Sequence, residues 1–236
     1  LILRNPNTGR LSFDGVSQSE KYSVATGDIV SIGPSRLEGR LAIPERASGL
    51  VIFAHGSGSS RFSPRNIQVA DALQRRGLAT LLFDLLTERE SADRRNVFDI
   101  PFLARRVGEA IQWARDERRT AALPIGLFGA STGGGAALAA AAAASRDVRA
   151  VVSRGGRPDL AGEALSRVRA PTLLIVGGAD LDVLELNRAA AARMTCEVRI
   201  EIVTGAGHLF EERGAMECVM TLAGDWFAAR LEKGVG

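Results

Sequence analysis

Lysine is almost missing from this chain. All but two of its 30 basic residues are arginine, the exceptions being Lys21 and Lys233. No lysine follows a glycine loop, which excludes a nucleotide-binding P-loop. Histidine is as scarce, at His55 and His208 alone. There is no His-x-x-x-His and no carboxylate cluster, so no metal is expected. The run Gly133-Gly134-Gly135 lacks dinucleotide spacing, so no cofactor is expected either. Cys196 and Cys218 form no Cys-x-x-Cys and stand beside no histidine, which removes zinc and redox motifs and fits a reducing, cytoplasmic setting. Aromatic residues are only 5% of the chain, and its arginines alternate with acids, as in Arg115-Asp116-Glu117-Arg118. The net charge of +3 therefore describes a mixed solvated surface and not a stripe for nucleic acid. No apolar run is long enough for a bilayer, so no membrane contact is expected.

What the chain does have is a regular alternation of short apolar runs and amphipathic segments. Its 236 residues suffice for one full core. Leu50–Ala54, Leu78–Asp84, the run from Ile125, Val148–Ser153, Pro171–Val176 and Val198–Val203 read as strands. Between them, helices are expected from Ser63-Pro64 to Gly77, over Pro101–Arg118, Ala136–Ala144, Asp159–Val168, Val183–Met194 and Ala215–Leu231. Leu85–Asn96 reads as a charged, irregular loop. The pattern predicts an α/β domain with a doubly wound, mostly parallel sheet. Leu37–Ile43 would be an antiparallel edge strand, and no insertion is long enough for a cap domain. The domain is placed at residues 36–236. Residues 1–35 are expected to be a peripheral segment, with a candidate hairpin at Asn5-Pro6-Asn7-Thr8-Gly9 and a polar loop over Ser17–Thr26.

The most informative stretch is Gly129-Ala130-Ser131-Thr132-Gly133, a Gly-x-Ser-x-Gly between an expected strand and an expected helix. A strand turning sharply into a helix exposes its central side chain at the sheet's edge. The flanking residues must be small because the two elements pass close together. The bland alternative is a glycine-rich connection without chemistry. Ligands of open α/β sheets bind beyond the carboxyl ends of the strands, and there the chain places His55, Ser57, Asp84, Ser131, Arg154, Arg157, Asp180 and His208. A serine needs a base, and a base needs an orienting carboxylate. Ser131, His208 and Asp180 can supply these roles from three different strand ends. Asp182 competes with Asp180, and either could instead cap the following helix. His55 opens the glycine loop Gly56-Ser57-Gly58-Ser59-Ser60. Its expected role is to shape that loop, whose Ser57 backbone N–H would face the Thr132 backbone N–H across an oxyanion. Arg61, Arg65, Arg154 and Arg157 flank the site. They are either solvated or ready to receive a carboxylate or phosphate, with His55, Arg61, Arg154 and Arg157 as the substrate-binding candidates.

Four motifs together, Phe53-Ala54-His55-Gly56-Ser57-Gly58-Ser59-Ser60, Gly129 to Gly135, Gly177-Gly178-Ala179-Asp180 and Gly205-Ala206-Gly207-His208-Leu209-Phe210, resemble an α/β-hydrolase of the dienelactone hydrolase-like branch. The resemblance spans about residues 30–231, and the order Ser131, Asp180, His208 is that of the superfamily. Dienelactone hydrolases proper use cysteine, whereas the nucleophile position here is Ser131. The resemblance therefore implies a serine carboxylesterase or lactonase for small soluble esters, with no cofactor, working through an acyl-enzyme. Relatives of this kind also occur fused to a phosphoribosyltransferase domain. The competing expectation is a hydrolase-like scaffold that binds or regulates without catalysis.

Overall fold

A run such as Leu-Val-Ile-Phe-Ala has no polar side to offer water, so it belongs in a sheet covered on both faces. The computed structural model describes residues 27–231. Among them, one sheet is built from Asp28–Ile32 (β1), Leu37–Ala42 (β2), Gly49–Ala54 (β3), Leu78–Phe83 (β4), Ile125–Ala130 (β5), Val148–Arg154 (β6), Thr172–Gly177 (β7) and Val198–Val203 (β8). Their order is β1-β2-β4-β3-β5-β6-β7-β8. β1 pairs with β2, and β2 with β4, antiparallel; every other pairing is parallel. β3, β4, β5 and β7 are buried at every position.

The helices are Pro64–Arg75 (α1), Glu88–Ser91 (α2), Arg94–Phe98 (α3), Ile100–Asp116 (α4), Thr132–Ala143 (α5), Leu181–Ala191 (α6) and Ala215–Leu231 (α7). A 3-10 segment, Pro158–Arg167, is broken at Gly162. One face of the sheet packs α4, α5 and the 3-10 segment around Leu50, Ile52, Leu81, Leu127 and Val151. The other packs α1 and α7 around Val51, Phe53, Phe128, Val152 and Phe227. The start signal of α1 is where the sequence put it. The Ser63 hydroxyl accepts from the Asn66 amide at 3.4 Å, with Pro64 at the first helical position. Among the described residues, no domain is inserted over the strand ends.

The expected antiparallel N-terminal edge of the sheet is β1 with β2, β1 outermost and β2 between β1 and β4. Two expectations need correction. β1 itself falls within the segment expected to be peripheral, because its alternation Val30, Ile32 is too short to stand out. Residues 85–96 are not an irregular loop but carry α2 and part of α3. The Thr87 hydroxyl accepts from the Glu90 amide at 3.2 Å, and the Glu90 carboxylate takes the Thr87 amide at 2.9 Å. That reciprocal cap folds a stretch too polar to show periodicity. The expected hairpin at Asn5–Gly9 and the loop Ser17–Thr26 lie outside the described residues.

The chain leaves β3 toward β4 on one side and, after β4, crosses to β5 on the other. The switch point therefore falls between the carboxyl ends of β3 and β5, where open sheets hold ligands. The helix after β5 approaches very closely there. A Cβ on Gly129 would stand 2.6 Å from the Gly133 carbonyl oxygen. One on Gly133 would overlap the Ala54 carbonyl oxygen and stand 2.5 Å from that of His55. Gly133→Ala is expected to cost roughly 2–4 kcal/mol, since backbone must move to admit the methyl. Gly108→Ala, within α4, meets nothing within 4 Å. It is expected to stabilise by about 0.5–1 kcal/mol through helix propensity. Thermal melts of the two variants check both signs.

Candidate active site

Ser131 joins β5 to α5 with φ 52° and ψ −125°, a conformation that costs a non-glycine residue about 1–3 kcal/mol. Backbone bonds hold it there. The Ser131 N–H donates to the Arg154 carbonyl at 3.4 Å, and the Ser131 carbonyl accepts from Gly134 at 2.9 Å and Arg157 at 3.0 Å. Ser131 sits at the N-cap position, yet its hydroxyl makes no capping bond. Thr132 begins α5, so its N–H is one of the amides that no helical carbonyl can take.

The loop after β3 lies against this turn. A Cβ on Gly56 would be 2.9 Å from the Ser131 Cβ and 3.6 Å from its Oγ. His55 anchors the loop through both ring nitrogens. Its Nε2 accepts from the Leu85 amide at 3.0 Å, which leaves Nδ1 to carry the proton and donate to the Gly56 carbonyl at 3.0 Å. Burial pushes its pKa below the usual histidine value, the Gly56 bond and Asp84 opposing. His55 is thus a neutral structural imidazole and has no lone pair left for a serine proton. The Ser57 N–H, expected to face an oxyanion, donates to the Thr132 Oγ1 at 2.8 Å.

On the other side, the His208 Nδ1 lies 2.7 Å from the Asp180 Oδ2. Asp180 occupies the N-cap position of α6 but makes no side-chain capping bond, and Asp182 is exposed in the first turn. The two loops that carry the pair are tied by the Ala179 amide, which donates to the Ala206 carbonyl at 2.9 Å. The imidazole reaches the end of β6: a Cβ on Gly155 would be 3.9 Å from the His208 Cε1. The residue before that glycine is the one whose carbonyl takes the Ser131 amide. Serine and histidine therefore border the same strand end.

The flanking arginines are engaged elsewhere. Arg61 pairs with Asp84 and Glu38. Arg157 makes a two-pronged bond to Asp159, both contacts at 2.8 Å, and Arg65 pairs with Glu211 at 3.1 Å. Arg154 is only 6% exposed. Its guanidinium donates to the Asn66 Oδ1 at 3.4 Å and faces the Phe210 ring at 5.8 Å, while its Nε finds no partner. Burial, with Arg65 beside it, pushes its pKa down to about 10. It remains charged at neutral pH and braces the loop that follows His208 from below.

Beside the Gly56–Ser60 loop lies a cavity of about 390 Å³. Its apolar wall is Leu85, Leu86, Val97 and Leu103; its polar wall is the serine loop together with Asp84, Glu88 and Ser91. Two features of the site escaped sequence reasoning. The Thr132 side chain reaches across to Ser57, which nothing short of packing could reveal. Part of the cavity wall, Glu88, Ser91 and Val97, comes from α2 and α3, and the Thr87-x-x-Glu90 spacing was a usable signal for it.

An α/β hydrolase domain family matches residues 47–223. Proteins from two strains of Mycobacterium tuberculosis are each 56% identical over 202 residues, 86% of this chain and 46% of theirs. Both carry a provisional phosphoribosyl transferase name, and the chain spans less than half of their length. Among solved structures, the dienelactone hydrolase of Anabaena variabilis is similar at 53% identity and a TM-score of 0.84, over 87% of this chain and 97% of that one. Est1E from Butyrivibrio proteoclasticus shares the fold at 15% identity and a TM-score of 0.73, over 86% and 98% of the two chains.

The His55 geometry has a pH consequence. Its folded pKa lies below its unfolded value of about 6.5, so the unfolded chain binds more protons on acidification and stability falls with it. Denaturant unfolding between pH 7.5 and 5 is expected to show a smaller loss for His55→Asn than for the parent. Equal slopes would mean that the ring is not held neutral.

Proposed function

For a chain that belongs to the α/β hydrolase domain family, we propose serine ester hydrolysis through an acyl-enzyme on Ser131. The observation that carries this reading is the 2.7 Å contact of His208 Nδ1 with Asp180. A carboxylate on Nδ1 keeps the proton there and makes Nε2 the acceptor. Nε2 then takes the Ser131 proton as Oγ attacks the acyl carbon. The imidazolium, stabilised by Asp180, returns that proton to the leaving alcohol. Water, activated by the same nitrogen, cleaves the acyl-enzyme. The Thr132 N–H, at the positive end of α5, faces the developing oxyanion, while the Ser57 N–H is taken by the Thr132 Oγ1. No metal or redox step enters.

We take the cavity as the substrate pocket because Gly56, which lines it, lies against Ser131; Ser131, Thr132, Asp180 and His208 are not themselves part of its lining. That lining holds Asp84 and Glu88 and no arginine or lysine. The arginines that the sequence offered to an anionic substrate are paired with carboxylates or buried. Small neutral esters or lactones, with an apolar side for the leucine wall and oxygens for the serine loop, suit it best.

Ser131→Ala is expected to lower 4-nitrophenyl acetate turnover by roughly 10⁴-fold or more, and Asp180→Asn by roughly 10³–10⁴-fold. A Ser131→Ala protein as active as the parent would leave a hydrolase-like binding module in place of an enzyme. The charge argument has its own check. For acyl chains of equal length, 4-nitrophenyl butyrate is expected to exceed the mono-4-nitrophenyl ester of succinate in kcat/KM by about tenfold, a gap of about 1.4 kcal/mol. Added salt is expected to narrow the gap, because the carboxylates lining the cavity are screened. Preference for the succinate ester would overturn the neutral-substrate reading.

A further inference from the structure

The Thr132 hydroxyl has no part in the reaction described so far. It is nevertheless placed like a catalytic group. It neighbours Ser131 in sequence, and Thr132 is 5% exposed. Its oxygen accepts from the Ser57 N–H at 2.8 Å. Ser57 follows Gly56, whose Cβ position lies 3.6 Å from the Ser131 Oγ. The amide on the loop side of the site is thus engaged by this hydroxyl.

We infer that the Thr132 side-chain hydroxyl is an oxyanion donor, standing where the Ser57 amide was expected and relaying its polarity to the substrate. The inference rests on the serine-hydrolase reading. A hydroxyl carries one proton and two lone pairs. Accepting from Ser57 uses a lone pair and turns the proton away from that amide. Among the described residues, no acceptor takes that proton. A buried donor without an acceptor is unfavourable, and an ester oxygen bound at Ser131 would supply the missing one. The backbone N and Oγ1 of one threonine are close enough to converge on a single oxygen. Two donors then come from residue 132, and the chain Ser57 N–H, Thr132 O–H, oxyanion strengthens each bond in turn. The hydrogen bond from the Ser57 N–H holds the Thr132 Oγ1 in place, so the donor oxygen is positioned before the charge forms. No proton leaves Thr132. The negative charge gathers on the former carbonyl oxygen during attack and returns to a C=O when the alcohol departs.

Thr132→Val keeps the shape and removes the hydroxyl; Thr132→Ser keeps the hydroxyl. With 4-nitrophenyl acetate, the Val variant is expected to lose about 10²-fold in kcat with KM changed by less than about threefold, as for loss of one oxyanion donor. The Ser variant is expected to stay within about fivefold of the parent. A trifluoromethyl ketone, whose adduct with Ser131 carries the oxyanion, is expected to lose affinity in the Val variant in step with kcat/KM. A strut between loop and helix would move the melting temperature without that proportionality. If the Val protein does not fold, Thr132→Ala against Thr132→Ser gives the same comparison. A Val or Ala variant that folds and keeps or raises kcat, while Ser131→Ala is inactive, overturns the donor role and leaves the hydrolase reading standing. Unimpaired Ser131→Ala removes both.

Discussion

Where α5 begins, the backbone carbonyls of Ala54 and His55 occupy the space that a side chain on residue 133 would need. That contact brings the end of β3, the end of β5 and the first turn of α5 to one point. Ser131 has no room to leave β5 in an ordinary conformation, and its φ of 52° follows. The strain is offset by three backbone bonds to the end of β6 and to α5 itself. Because the loop after β3 is pressed onto the same turn, Ser57 comes within hydrogen-bonding distance of Thr132. One steric constraint thus sets the serine's exposure, the helix amide beside it and the loop opposite.

The far side of the site adds hydrogen bonds to close packing. Asp180 and His208 sit on loops after β7 and β8, which backbone hydrogen bonds tie together and which pass so closely that a Cβ on Gly177 would overlap the Ala206 carbonyl oxygen. Phe210, in the left-handed region at φ 56°, turns the chain back over a buried guanidinium, that of Arg154. A cation this enclosed is normally matched by a carboxylate. Here it has an amide oxygen and an aromatic face. Arg65 and Glu211 link the same loop to α1 at the surface. The histidine loop is therefore tied to the side of the sheet opposite the cavity, leaving the cavity side to the serine loop and α2–α3.

Charge pairing explains why an arginine-rich surface leaves the cavity lining without arginine or lysine. Arg61 could have served a substrate, but its guanidinium lies between Asp84 and Glu38 and its amide also bonds Asp84 at 2.7 Å. Asp84 therefore fixes the entry to α1 and still presents a carboxylate to the cavity. His55 contributes no charge because burial and the Leu85 amide hold it neutral.

Much of this was legible in residue order. Continuous apolar runs demanded a two-sided cover, so the parallel sheet, the helices between strands and the positions of Ser131, Asp180 and His208 at strand ends followed from pattern alone. β1 was missed because five residues, of which only Ile32 is buried, carry little pattern, and α2 because a capping box, not periodicity, folds it. Residue order favoured Asp180 over Asp182, two residues on, as the partner of His208; the direction of the loop, set by β7 and β8, is what puts Asp180 on the imidazole. Sequence could not tell that the flanking arginines already have partners, since Arg61 and Glu38 are far apart along the chain. Local pattern determined which segments are strands and helices, because burial preference and capping act over a few residues. Which side chains face one another across the strand ends was decided by packing, because those distances depend on every element between them.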